Sequence, residues 1–149
     1  AEVRRLVEEG GLAMDDGGFL RGSALHEAAR RGKTNCVVAL CDAQADVNRT
    51  DVTSDTPLHC AVNNGHIAAA RVLIARGADV NAREIAGGTP LHGATNSIFI
   101  PSIECRQELI EMLMHANADP RIRDKMGMGP EDHAHVQRVR RGMERWGAD

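Results

Sequence analysis

The chain has 149 residues, of which 42% are hydrophobic, 26% charged and only 2% aromatic, with no Tyr and a net charge of −3. That length suits one domain, the charge argues against a general nucleic-acid binder, and the scarcity of rings argues against base- or sugar-stacking platforms. No apolar run approaches the roughly 18 residues of a membrane span, no secretory signal is visible, and Cys36, Cys41, Cys60 and Cys105 show no Cys-x-x-Cys spacing. Free thiols suit a reducing compartment, so the cytosol or nucleus is expected.

The first predicted element is a helix over Val3–Glu9 closed by Gly10, which matches Ala70–Gly77 with Arg5 where Val72 sits. Residues 1–11 therefore read as the second half of a repeating unit. They form either an N-terminal cap, whose exposed face Arg4, Arg5, Glu8 and Glu9 would keep polar, or the start of a fragment from a longer array. Unit one, 23–55, opens on Ser23-Ala24-Leu25-His26-Glu27-Ala28, and the phrase returns 33 residues later as Thr56-Pro57-Leu58-His59-Cys60-Ala61. Ser23 predicts an N-cap for a first helix over 23–31, and a second helix follows over 34–43. Unit two, 56–88, places Pro57 at the first helical position, where a missing N–H costs nothing. Its second helix, Ile67–Arg76, turns Ala69, Val72 and Leu73 to one face and ends at Gly77, where positive φ is expected.

Unit three, 89–128, opens on Thr89-Pro90-Leu91-His92-Gly93-Ala94, again 33 residues on. Gly93 lies inside its first helix, where Ala should be neutral or better. Ala45-Asp46-Val47-Asn48 and Ala78-Asp79-Val80-Asn81 keep the same period, but Ala118-Asp119-Pro120 arrives seven residues late. The excess is predicted near 97–103, in the turn between the two helices. There Ile98, Phe99, Ile100 and Ile103 either pad the stack or form a contact loop. Residues 129–149 read as a degenerate C-terminal cap and tail: Pro130 and Ala134 survive from the motif, and a final amphipathic helix is predicted over His135–Trp146 with Val136, Val139 and Met143 inward. Two phrases repeating in phase mean one structural unit that buries its apolar face only by stacking on its neighbours.

The phrases Thr-Pro-Leu-His-x-Ala, Gly65-His66 and Arg76-Gly77-Ala78-Asp79-Val80-Asn81 resemble the ankyrin repeat. That resemblance implies an all-α repeat solenoid with a β-hairpin or turn plus two antiparallel helices per unit. About three full units would lie between a half-repeat and a degenerate cap. It implies that His26, His59 and His92 hydrogen-bond the neighbouring unit's loop and their own Ser/Thr hydroxyl. It implies further that partners bind at the hairpin tips and the exposed face of the first helices. With Asp51, Glu84 and Asp124 opening the tips, the exposed tip residues would be Val52, Thr53 and Asp55, then Ile85, Ala86 and Gly88, then Lys125, Met126 and Met128. Phe19, Leu20 and Gly22 would serve unit one, where Gly18 and Arg21 depart from the pattern. The helix face adds Arg30, Arg31, Asn63, Asn64 and Asn96.

An apolar residue at successive tips, Phe19/Leu20, Val52, Ile85 and Met126, suggests an interaction strip for an extended peptide or a helix, with Phe99 near one end. The alternative is packing between adjacent tips. The expected function is a non-enzymatic adaptor or scaffold that binds a protein or peptide, as a monomer or as part of a larger polypeptide, without cofactor, metal, nucleic acid or membrane insertion. The rival readings are a stand-alone inhibitor of an enzyme such as a kinase, and a substrate of an asparaginyl hydroxylase at Asn48 and Asn81, whose spacing after Leu40 and Leu73 resembles such sites. No catalytic residue is expected: the chain has no Gly-rich phosphate loop with Lys, no Gly-x-Ser-x-Gly and no Cys with a paired His. Histidines on stacked units about 10 Å apart cannot share a metal. His133 and His135 do not fall on one helix face. The cysteines read as small hydrophobes, with Cys60 at an exposed position.

Overall fold

The computed structural model describes residues 22–132. The expected half-repeat at 1–11, the unit-one tip with Phe19 and Leu20, His133, His135 and the expected final helix at 135–146 lie outside the described residues. Six helices alternate in length and direction: α1 (Ala24–Arg30), α2 (Thr34–Asp42), α3 (Pro57–Asn63), α4 (Ile67–Ala75), α5 (Pro90–Asn96) and α6 (Ile103–His115), followed by a 3-10 turn at Pro130–Asp132. First helices stack on first helices (α1 on α3 on α5) and second on second (α2 on α4 on α6), so the array grows along one axis as an all-helical solenoid. No strand occurs among the described residues, and the expected β-hairpin is a tight turn there.

The sequence period becomes a core period. Leu25, Leu58 and Leu91 are fully buried at one position of the first helices, and Leu40, Leu73 and Leu113 at one position of the second. Each such side chain stabilises the stack by about 1.5–3 kcal/mol. Ala29 follows Ala28 in the first of these helices, as Val62 follows Ala61 and Thr95 follows Ala94; all lie in the stack, where small side chains let helices approach.

The second helices all end the same way. After α4 the chain passes through Gly77 at φ 93°, the Ala78 N–H donates to the Leu73 carbonyl, and the Gly77 N–H donates to Ile74. These two bonds satisfy carbonyls that the last helical turn leaves open. Gln44 (φ 69°) and Asn117 (φ 68°) take the left-handed place after α2 and α6.

The seven extra residues of unit three are divided between loop and helix. The loop between α5 and α6 covers Ser97–Ser102, and α6 has 13 residues against 9 in α4. Ile103 is thus helical, and the insertion lengthens the helix by about one turn as well as the loop. Ser102 caps the new start, its Oγ accepting the Cys105 N–H at 3.1 Å. The segment is part buried and part exposed. Ile100 is buried and Pro101 sits over Gly65, whereas Ile98 and Phe99 are 81% and 69% exposed.

Candidate functional site

Each tip is built by an acidic side chain folding over its own turn. Asp51 Oδ1 accepts the N–H groups of Thr53 and Asp55 and the Thr53 hydroxyl, all at 2.9 Å. Glu84 accepts from Ala86 (3.1 Å) and Gly88 (2.7 Å), and Asp124 from Met126 (2.9 Å) and Met128 (3.0 Å). The fourth residue, Ser54, Gly87 or Gly127, takes positive φ, and the bond from Asp51 N–H to Asp55 O (3.0 Å) closes the turn. Consecutive tips are joined: Ile85 N–H donates to Thr53 O at 2.9 Å and Lys125 N–H to Ala86 O at 2.8 Å. Arg83 braces the row further, with Nε on Gly87 O (3.1 Å) and Nη2 on Arg123 O (2.6 Å).

On this bonded row Val52 is 78% exposed, Ile85 56% and Met126 82%. None of the three is buried between tips. The backbone holds adjacent tips together, which leaves these side chains facing outward. Their register is less regular than the sequence suggests: Val52 and Ile85 directly follow the acidic residue, but Lys125 takes that place in the third tip and Met126 comes second. The inter-tip bonds confirm the match, since Ile85 and Lys125 are the equivalent donors. Thr53, Ala86 and Lys125 are also exposed.

The third residue assigned to each tip is not exposed. Asp55 and Met128 are half-buried and Gly88 is buried, because each is the closing residue of its turn and its carbonyl points into the stack. His26 Nε2 reaches Asp55 O at 2.8 Å, His59 Nε2 reaches Gly88 O at 3.2 Å, and His92 Nε2 reaches Met128 O at 3.0 Å. At the other ring nitrogen, the backbone N–H of Ser23, Thr56 or Thr89 donates to Nδ1 at 3.1 Å, with the hydroxyl 2.9 Å away. The expected joint between units is therefore present three times. Burial raises the Asp55 carboxyl above its ordinary range, partly offset by the Thr53 hydroxyl and His59.

The helix-face candidates are mostly engaged in structure. Glu27 forms ion pairs with both Arg30 and Arg31. Asn64 Nδ2 donates to the Cys60 carbonyl at 2.8 Å, the Asn63 carbonyl accepts from the Ser97 hydroxyl, and Asn96 is half-buried. Cys60, expected at an exposed position, is buried, with the Arg30 guanidinium 3.7 Å from its sulfur. Desolvation pushes its thiol pKa up to about 12. Phe99 does not extend the tip row. It follows the C-terminal end of α5, whereas the tip precedes the N-terminal end, and the seven-residue helix between them spans about 10 Å.

Asn48 and Asn81 bridge units. Asn48 Oδ1 accepts the Asp79 N–H at 2.7 Å and its amide donates to Gly77 O; Asn81 does the same with Asp119 (2.7 Å) and Asn117. Arg106 is a residue that sequence reasoning missed. The carbonyls at the end of α1 and α3, Ala28 O and Ala61 O, are met by the N–H groups of Lys33 and His66. The insertion removes that donor from α5, and the Arg106 guanidinium takes over, donating to Ala94 O at 2.8 Å and Ser97 O at 2.7 Å.

Among the described residues no group of three or more His, Cys, Asp or Glu converges on a point, and no helix is long and apolar enough to cross a membrane. Comparison with protein families matches the chain to ankyrin repeats (3 copies) over residues 2–84 and 25–124. The chain belongs to the ankyrin-repeat family. A search of curated proteins returned no match. Repeats of this family are in general protein–protein interaction modules.

Proposed function

We propose that this domain is a non-enzymatic adaptor or scaffold that docks a peptide or protein surface on its row of tips. The observation that carries the reading is the exposure of Val52, Ile85 and Met126 on tips tied to one another by backbone hydrogen bonds. Exposed apolar side chains are unfavourable in water unless a partner covers them, and a fixed row presents them without an ordering cost on binding. Thr53, Ala86 and Lys125 supply the polar and small surroundings that interface anchors usually have. A specific interface needs about 800 Å² per partner, which would draw on all three described tips together with the adjoining helix face.

A photo-crosslinking amino acid tests this reading when placed at Ile85 and, separately, at Arg71, an exposed position on the second-helix side. Adducts with a specific protein from Ile85 and none from Arg71 support the tip row. Adducts from Arg71 alone would move the binding face to the other side of the solenoid.

A further inference from the structure

The carbonyl that each joint histidine reaches is used twice. Asp55 O also accepts the Asp51 N–H at 3.0 Å, Gly88 O the Glu84 N–H at 2.9 Å, and Met128 O the Asp124 N–H at 2.9 Å. Each histidine therefore holds the atom that closes the next unit's tip. The ring accepts at Nδ1 and donates at Nε2, which is the hydrogen-bonding pattern of neutral imidazole. A second proton, on Nδ1, would confront a backbone N–H at 3.1 Å and leave that donor unsatisfied. It would also place a charge where the His26 and His59 rings are buried in the stack.

We propose that these joints are an acid-sensitive coupling between repeats: a second proton keeps the Nε2–H bond to the tip carbonyl but breaks the bond at Nδ1 and charges a buried ring, so that His26 and His59 leave their joints on protonation, free the tips they hold and loosen units one, two and three from one another. The coupling is a property of the stack, independent of what the tips bind. Charged groups face both rings. Arg30 on α1 opposes protonation of His26, while the Asp55 carbonyl and the Asp51 and Asp55 carboxylates favour it; the Asp55 carboxylate, the Gly88 carbonyl and Glu84 favour protonation of His59. Burial outweighs them, and both rings are held below the ordinary histidine pKa with desolvation as the main cause.

The sign follows from proton counting. With the folded pKa lowered, the unfolded chain binds more protons below its own histidine pKa of about 6.5, so stability is full above that pH and falls as pH drops through the window beneath it. Asp55 has a raised folded pKa and therefore acts with the opposite sign, gaining stability as pH falls through the carboxylate range. The test is kept above about pH 5.5 for that reason.

Two measurements decide the proposal. In the folded wild type, NMR titration of the ring protons should place both His26 and His59 below about 6.5. Protection of the Asp51 and Glu84 amides should fall as they titrate. Urea unfolding at about pH 7.5 and about pH 5.5 should show the folded-to-unfolded ratio dropping by up to about tenfold per histidine, the limit set by the roughly one pH unit between about 5.5 and the unfolded histidine pKa of about 6.5. A His26→Gln/His59→Gln variant, which keeps the His92 joint, should be less stable but lose most of the difference between the two midpoints, whereas His115→Gln, on the exposed end of α6, should keep the wild-type dependence. Rings that titrate at or above about 6.5 in the folded protein, or a double variant that keeps the full pH loss, would overturn the proposal. If the double variant does not fold, the wild-type titration alone decides.

Discussion

Gly93→Ala sets helix propensity against a single contact, and the structure decides which wins. Replacing an interior helical Gly by Ala is worth about 1 kcal/mol. A Cβ on Gly93, however, would lie 1.9 Å from Asn63 Oδ1 and 3.1 Å from its Cγ, so the Asn63 side chain must leave its place on α3. Forcing extra volume into a packed site costs about 1–3 kcal/mol. The net expectation is a loss, centred near 1 kcal/mol. Gly77→Val is the comparison: a Cβ there meets nothing within 4 Å, so its cost is backbone strain at φ 93° alone, about 1–3 kcal/mol. Urea denaturation of Gly93→Ala, Asn63→Ala and the double variant measures the contact directly. Truncating Asn63 opens the space, so the double variant should be more stable than the two single losses imply, by about 1 kcal/mol. A Gly93→Ala variant that gains about 1 kcal/mol, as propensity alone dictates, or a cycle with no coupling, would refute the steric argument.

Two further outcomes follow from the insertion and the thiols. Ile98→Ser with Phe99→Ser should change stability by less than about 1 kcal/mol, while Ile100→Ser should cost about 1.5–3 kcal/mol, both read from urea midpoints. Equal costs would mean that the loop packs otherwise. At pH 8 a maleimide or disulfide reagent should modify Cys60 last, at a rate set by opening of the stack, because its thiol is buried with a pKa of about 12. Modification of Cys60 as fast as Cys36 would contradict that burial.

The parts of the fold legible in the sequence are those that recur. Leu25, Leu58 and Leu91, the three histidines and the acidic residues that open the tips stand at fixed spacing because every unit meets the same neighbours. That periodicity was enough to place the stack, the second-helix core and the apolar tips. What escaped depends on contacts between particular pairs in different units. Cys60 is buried because Arg30, one unit earlier, lies over its sulfur. At Gly93 the Asn63 side chain, from the preceding unit, occupies the space that a Cβ would take. Seven inserted residues could be counted from the late Ala118-Asp119, but spacing does not divide them between loop and helix. The division was set by Ser102 as a cap and by Arg106 reaching back to Ala94. Likewise Asp55 looks like a tip residue in sequence, and only the His26 bond to its carbonyl shows that it belongs to the base of the turn.

The claim that the tips are the binding face is tested most directly by replacing Val52, Ile85 and Met126 together with Asp. Capture of protein partners by wild type and variant would then be quantified beside the melting temperature of each. All three side chains are exposed, so the variant should unfold within about 1 kcal/mol of wild type while losing most of its specific partner signal. A variant that melts normally and retains every partner at full strength would contradict the claim.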